Sequence, residues 1–334
     1  MKTKIEIGNL SDVGKVRSVN EDYFGSYSGK FGNLIIVCDG MGGHSGGAIA
    51  SRLAVETIRE HFEKLPEKYD EKEQLKLAIH KADTALKQRA LSDPELKEMG
   101  STAVLMLIKN DQAYCAHIGD SRIYMIRNSN IHQLTKDHSL VQQMVDTNMI
   151  SEEAAKDHPK KNVITRSLGA NGSSNPDIAE PFSVFKKDRF ILCTDGLTGH
   201  VNDEEILQIV SRNSLQAASL NLIDLANSRG GKDNITVQIV SVISGKRLPM
   251  PRSKLIKNIQ LGTAVALIIL AIVAAIVWLP KIMGGDADKP TKKEGKNQEK
   301  TIDDKQKEKI EVDKVEDKID DKDSLKGKAE EKTK

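Results

Sequence analysis

Cysteine is scarce in this chain. Its 334 residues include 3, namely Cys38, Cys115 and Cys193, each inside an apolar run. An odd, scattered set gives no disulfide framework and fits a reducing compartment. Nor does any of them begin the cysteine-phosphatase pattern, which needs an arginine six residues after the nucleophile. His44, Ser121 and Gly199 stand at that offset, so the three are expected to be core thiols. Positive charge is not concentrated either. The formal net charge of +2 averages an almost neutral domain, a short basic segment and a tail whose two signs cancel, which argues against a nucleic-acid partner. The N-terminus has no apolar core of signal-peptide length, so no cleaved export signal is expected. The glycine-rich stretch 40–47 lacks a closing Gly-Lys-Ser/Thr and is not a nucleotide-binding P-loop. No internal repeat is visible.

What is present divides along the chain. Residues 1–245 mix apolar runs, glycines and charges as one folded domain does, and a domain of about 240 residues buries roughly 70–75% of its unfolded surface. Residues 246–257 form a short basic linker, and 258–280 carry no charge at all. The apolar stretch 261–279, at 1.5 Å per residue, would span about 28 Å, close to the ~30 Å hydrocarbon core of a bilayer. Lys257 and Lys281 bracket it, and Trp278 sits near one end, where an indole suits the interface. A single transmembrane helix over 258–280 is therefore expected. Residues 281–334 are mostly Lys, Asp and Glu, too poor in apolar surface to fold. The basic bias across the helix is slight, but the missing export signal and the free cysteines place the N-terminal domain in the cytoplasm.

Within 1–245, short Val- and Ile-rich runs at 34–38, 102–108, 113–118, 123–126, 190–193 and 235–242 read as strands. Helical spacing marks 45–65 (Ile49, Leu53, Ile58, Phe62) and 75–91 (Leu75, Ile79, Ala82, Leu86), with further helices at 139–146 and 206–229. Two strand pairs are separated by breaks of hairpin length, 109–111 and 119–122, which favours antiparallel pairing. Strands and helices come in blocks. That predicts an α+β fold, an antiparallel sandwich flanked by helices rather than a doubly wound parallel sheet.

The acidic residues carry the chemistry. Asp39 ends an apolar strand and is followed by Gly40. Asp195 repeats the arrangement before Gly196, Asp233 precedes the strand at 235, and Asp120 sits between two strands. Any one of these could be a turn aspartate. As a set at strand ends they could converge, and unless a cation neutralised them they would raise one another's pKa values. Oxygen-only donors point to Mg²⁺ or Mn²⁺ rather than zinc.

Eight stretches, in order and spanning about residues 8–243, resemble the metal-dependent type 2C protein phosphatases in their bacterial form. They are Arg17 with Asn20-Glu21-Asp22, Asp39-Gly40 through Gly43-His44, Gly100-Ser101-Thr102, Gly119-Asp120-Ser121-Arg122, Asp137-His138-Ser139, Thr165-Arg166 through Gly169, Thr194-Asp195-Gly196 and Asp233-Asn234. The resemblance implies a four-layer α-β-β-α sandwich of two antiparallel sheets with helices outside. It implies two Mn²⁺ or Mg²⁺ ions, with a third position. Asp39 would bridge the pair, the Gly40 carbonyl would join it, and Asp195 and Asp233 would complete the set. Asp22, with Glu21 beside it, would act through metal-bound water. Asp120 with Asp195 would serve the third position, and Arg17 would bind the substrate phosphate. Asn234 and His44 would stand behind the ligands.

The implied activity is hydrolysis of phosphoserine and phosphothreonine on proteins by a hydroxide bridging two cations roughly 3.5–4 Å apart, opposing a bacterial Ser/Thr kinase, with the chain acting as a monomer. Met41 stands where eukaryotic relatives often carry His, so either metal-bound water or His44 supplies the proton. Residues 138–169 would form a flap beside the site, its Lys156, Lys160, Lys161 and Arg166 facing acidic partners or simply solvent. Two competing functions use the same carboxylates. A metal nuclease would want a basic face, and a non-catalytic phosphoprotein sensor would be expected to have lost a ligand.

Overall fold

In the computed structural model, residues 3–42, 46–169, 174–249 and 265–276 are described. The chain divides into two units, 1–255 and 256–334. The first is built on two antiparallel sheets. One has five strands in the order β1 (Lys4–Asp12), β13 (Ile235–Ser244), β12 (Arg189–Cys193), β8 (Arg122–Arg127), β9 (Asn130–Gln133). The other runs β10 (Asp177–Ile178), β7 (Gln112–Ile118), β6 (Ala103–Lys109), β3 (Gly32–Cys38), β2 (Tyr23–Gly29), with β11 (Phe182–Ser183) also pairing β7. A two-strand ribbon, β4 (Gly40–Met41) with β5 (Gly100–Ser101), lies beyond the end of β3.

The period-2 alternation of strands explains the layering. In β3, Leu34, Ile36 and Cys38 join a cluster with Ala54, Ile58 and Phe62 of α1 (Gly46–Glu63) and Leu75, Ile79 and Leu86 of α2 (Glu71–Ser92). The intervening Ile35 and Val37 meet Phe190, Leu192, Val240 and Val242 of the opposite sheet. On the other outer face, Ile191, Val237 and Ile239 pack with Ile206 and Val210 of α6 (Asp203–Arg212) and Leu222 and Ile223 of α7 (Leu215–Ser228). Strands buried on both faces read as unbroken apolar runs, which is why they stood out in the sequence. The expected arrangement, sheets back to back with helices outside, is what forms. The three cysteines are buried core thiols. Burial pushes the Cys115 and Cys193 thiols up to about 12 and Cys38 higher still.

One hairpin reading stands and two local readings need correction. The break 109–111 is a hairpin, with Asn110 and Asp111 both at positive φ (51° and 61°) as a tight turn requires. The break 119–122 is not: β7 and β8 belong to different sheets, so it is a crossing at the end of the sandwich. Gly119 (φ +105°) makes the bend, packed so closely on Thr102 that a Cβ would collide with its side chain. The helix expected over 206–229 is two, because Asn213 is extended (φ −118°, ψ 162°) and the Ser214 hydroxyl caps α7 by accepting from the Ala217 N–H. Strands β1 and β2 were not expected, β1 being an edge strand of mixed polar and apolar residues.

In the second unit, residues 265–276 are helical and exposed. At 1.5 Å rise that is about 18 Å, and among the described residues no helix is long and apolar enough to cross a membrane. The rest of the expected span, 258–264 and 277–280, and the charged tail 281–334 lie outside the described residues.

Candidate metal centre

The end of the sandwich where β3, β7 and β12 finish collects the acidic residues. Asp39 leaves β3 and is fixed through its backbone. Its N–H donates to Thr102 Oγ1 (3.0 Å), and its carbonyl accepts from the Thr102 N–H (2.8 Å) and Ser101 Oγ (3.0 Å). The Thr102 hydroxyl is also 2.8 Å from Ser121 Oγ, so the hydroxyl that holds Asp39 reaches the neighbour of Asp120. The Gly40 N–H donates to the Glu21 carbonyl at 3.2 Å. A Cβ on Gly40 would strike the Gly47 and Glu21 carbonyls, so only glycine fits.

Asp195 opens the short helix α5 (Asp195–Thr198) directly after β12. Thr194 before it faces Asp22: its Oγ1 donates to Asp22 Oδ2 (2.9 Å) and accepts from the Thr236 N–H (3.0 Å). Asp233 precedes β13 and accepts from Arg17 Nη2 at 2.9 Å, while Arg17 Nη1 lies 3.8 Å from Glu21. Asn234 sews the loop between β1 and β2 to β13. Its Oδ1 accepts from the Glu21 N–H (2.8 Å), and its Nδ2 donates to the Val13 and Val19 carbonyls (2.9 Å each).

Asp22, Asp39, Asp120, Asp195 and Asp233 thus come together with Gly40, Glu21, Arg17 and Asn234. His44 lies outside the described residues. Thr102 and Thr194 are the functional residues that reading the sequence did not single out. The signal was their place in the matched stretches, Gly100-Ser101-Thr102 and Thr194-Asp195-Gly196, although the aspartates they hold, Asp39 and Asp22, lie in other stretches.

The electrostatics of this cluster are those of charges without a counter-ion. Burial, reinforced by Asp22, Asp195, Asp120 and Asp233, holds Asp39 well above the usual carboxylate range. Asp22 is pushed up to about 7, by burial first, with Asp195 and Asp233 adding and the hydroxyls of Thr236 and Thr194 pulling back. Burial and the Asp195 charge take Asp120 to about 8. Asp195 is raised by burial and Asp233, its hydrogen bond to Asp39 acting against them. Glu21 is raised by burial, with Arg17 opposing. The buried Asp22 Oδ1 and Asp120 Oδ1 have no hydrogen-bond partner among the described residues. Oxygens of this kind, in a group that repels itself, fit hard divalent cations.

A second group looks similar by distance alone. Ligating atoms of His117, His138 and Asp177 lie within 4.8 Å of one another, and the two rings stack at 4.6 Å. The tautomers decide against a metal. His138 Nδ1 accepts from the Gly119 N–H (3.2 Å), so the proton of the neutral ring is on Nε2, 3.2 Å from Asp177 Oδ2. A metal would need that nitrogen bare. Burial, with His117 adding, takes His138 down to about 4, so the ring is neutral near pH 7. The trio ties the start of 138–169 to β7 and β10. The other end of 138–169 is held by the Arg166–Asp177 ion pair (2.8 Å) and the backbone bridge from Leu168 to Ser101.

A sandwich whose buried carboxylates converge on one edge defines a divalent-cation hydrolase site, and comparison with known proteins gives the family. Residues 15–223 match the family model for protein phosphatase 2C. The chain is 38% identical over 255 residues to protein phosphatase PhpP of Streptococcus pneumoniae, covering 71% of this chain and 98% of that protein. Over 236 residues it is 37% identical to the serine/threonine phosphatase stp of Listeria welshimeri, covering 69% and 93%. The solved serine/threonine phosphatase PstP/Ppp of Mycobacterium tuberculosis superposes with a TM-score of 0.66 at 33% identity, covering 72% of this chain and 99% of that one. The chain belongs to the protein phosphatase 2C family.

Proposed function

We infer that this chain is a protein serine/threonine phosphatase that hydrolyses phosphoserine and phosphothreonine on proteins, using Mn²⁺ or Mg²⁺. The observation that carries the reading is the convergence of five aspartates at one end of the sandwich, with buried carboxylate oxygens that lack partners among the described residues. A similar chain, the catalytic domain of PstP, is described in complex with 2 manganese ions. Here Asp39 would hold two cations with the Gly40 carbonyl, Asp195 and Asp233 completing the set and Asp22 facing it. Asp120 with Asp195 would serve a third. The cations lower the pKa of water and neutralise charge on the phosphoryl oxygens. The protein supplies position: Thr102 and Thr194 fix the carboxylates, and Asn234 anchors the loop that carries Arg17. The Arg17 guanidinium, half-exposed at the rim beside Asp233, takes the substrate phosphate in two-pronged fashion.

The same reading makes residues 1–245 the catalytic domain of a single-pass membrane protein. It is anchored by 258–280 through the basic linker 246–257, with the domain cytoplasmic, monomeric and opposed to a Ser/Thr kinase. The uncharged stretch 261–279 supports the anchor. Protease protection in sealed cells checks it: a digested tail and an intact domain are expected, and a chain recovered wholly in the soluble fraction would overturn it. Activity is tested with the full-length chain and a phosphothreonine peptide. Phosphate release should require Mn²⁺, stop with EDTA, and vanish in Asp39→Asn. No release from a folded, Mn²⁺-loaded chain would contradict the phosphatase reading.

A further inference from the structure

A groove of about 520 Å³ lies along the N-terminal half of α1, with Asn20 and Asp22 in its lining. It therefore shares Asp22 with the metal centre. Its floor is apolar, from Tyr23, Ile49 and Leu53. The charges on its rim do not cancel. Glu56 is neutralised by Arg59, whose Nη2 lies 2.8 Å away, and Arg89 is shared with Asp93 at 3.2 Å. Arg52 has no ion-pair partner among the described residues. Its guanidinium rests 5.0 Å over the Tyr23 ring, exposed on the α1 surface. An arginine held over an aromatic ring is oriented before it binds anything, which lowers the entropy cost of meeting an anion.

We propose that this groove seats the substrate chain next to the phosphorylated residue and that Arg52 selects an anionic side chain there. The proposal rests on the phosphatase reading and names its substrate class. A phosphoresidue at the cations leaves its own chain nowhere to go but across the rim, and this trough adjoins Asp22. Its apolar floor suits a short extended segment, and, with Asp22 given over to the cations, the charge left free along α1 is the positive one of Arg52. The anion is a carboxylate or a second phosphate, either of which matches a guanidinium fork. Arg52 in this role positions substrate and does not touch the reacting phosphoryl group.

The test uses the full-length chain with Mn²⁺ and four substrates. Three are phosphothreonine peptides whose flanking positions, scanned on both sides, carry Ala, Glu or phosphoserine. The fourth is p-nitrophenyl phosphate, which has no chain to dock. The wild type should favour the anionic peptides over the Ala peptide by about 5-fold or more in kcat/KM, through KM. Arg52→Ala should abolish that preference, Arg52→Glu reverse it and Arg52→Lys keep part of it. All three should leave hydrolysis of p-nitrophenyl phosphate unchanged. Preference for phosphoserine over Glu would assign the site to multiply phosphorylated segments; equal preference, to acidic ones. Unchanged peptide rankings in Arg52→Glu would overturn the proposal, as would an equal loss on p-nitrophenyl phosphate. Failure of the wild type to hydrolyse any of the four would instead strike the phosphatase reading itself.

Discussion

Two kinds of buried aspartate occur in this molecule. At the far end of β8, Asp188 is almost fully buried and completely partnered: Arg127 donates from Nε (2.9 Å) and Nη2 (2.7 Å), and the Phe185 N–H adds a third bond (2.7 Å). At the near end, Arg122 grips Asp137 in the same forked way. Asp22 and Asp120 are nearly as buried and Asp39 is partly so, yet the groups acting most strongly on Asp39 are other acids. The first kind is a structural ion pair. The second is a charge deficit built into a rigid frame and neutralised only when cations arrive. Burial and residue type do not separate them; the partner does.

Mutation should separate the two ends sharply. The largest effect expected is on catalysis. Asp39→Asn should lower phosphate release by about 1,000-fold or more, whereas Arg127→Ala should leave kcat within a few-fold, both read by steady-state assay. Stability should divide the other way. Arg127→Ala strands Asp188 and should cost about 3–5 kcal/mol in urea unfolding; a loss under 1 kcal/mol would erase the distinction.

Acid and metal sharpen the same contrast. The folded-state pKa values of Asp22 and Asp120, about 7 and about 8, lie above the ordinary aspartate value of 3.8. In the metal-free protein these groups favour the fold below pH ~4 and progressively lose that contribution as pH rises through 7–8. Cations offset the loss, so the rise in Tm on adding Mn²⁺ should be several degrees larger at pH 8 than at pH 5; a constant or shrinking rise would contradict this. The smallest effect expected is from Thr194→Val, which takes a hydrogen bond from Asp22 Oδ2. Mn²⁺ affinity, measured by calorimetry, should fall about 10-fold with the fold intact.

The legibility of these features followed the same divide. Asp39, Asp195 and Asp233 could be found because each follows or precedes an apolar strand beside glycine or asparagine, a local pattern. The sandwich was legible because strands buried on both faces are continuous apolar runs; its four-layer order came from the family resemblance. Thr102 and Thr194 were not, since a threonine in or near a strand is ordinarily just a good strand former. The crossing at 119–122 was mistaken for a hairpin because loop length does not say whether two strands share a sheet. The Asn213 break was missed although the polar run 211–214 interrupts the apolar spacing there and carries the serine that caps α7. The Arg127–Asp188 pair, 61 residues apart in sequence, left no local trace.

The central claim, that the metal-centre carboxylates are destabilising until cations bind, is tested most directly by thermal unfolding of wild type and Asp39→Asn in EDTA and in saturating Mn²⁺ at pH 8. Removing one of the mutually repelling charges should raise Tm in EDTA. In Mn²⁺ the order should reverse, because the variant has lost the shared ligand. If Asp39→Asn lowers Tm in EDTA, as Arg127→Ala is expected to, then Asp39 is a structural aspartate and the account is wrong.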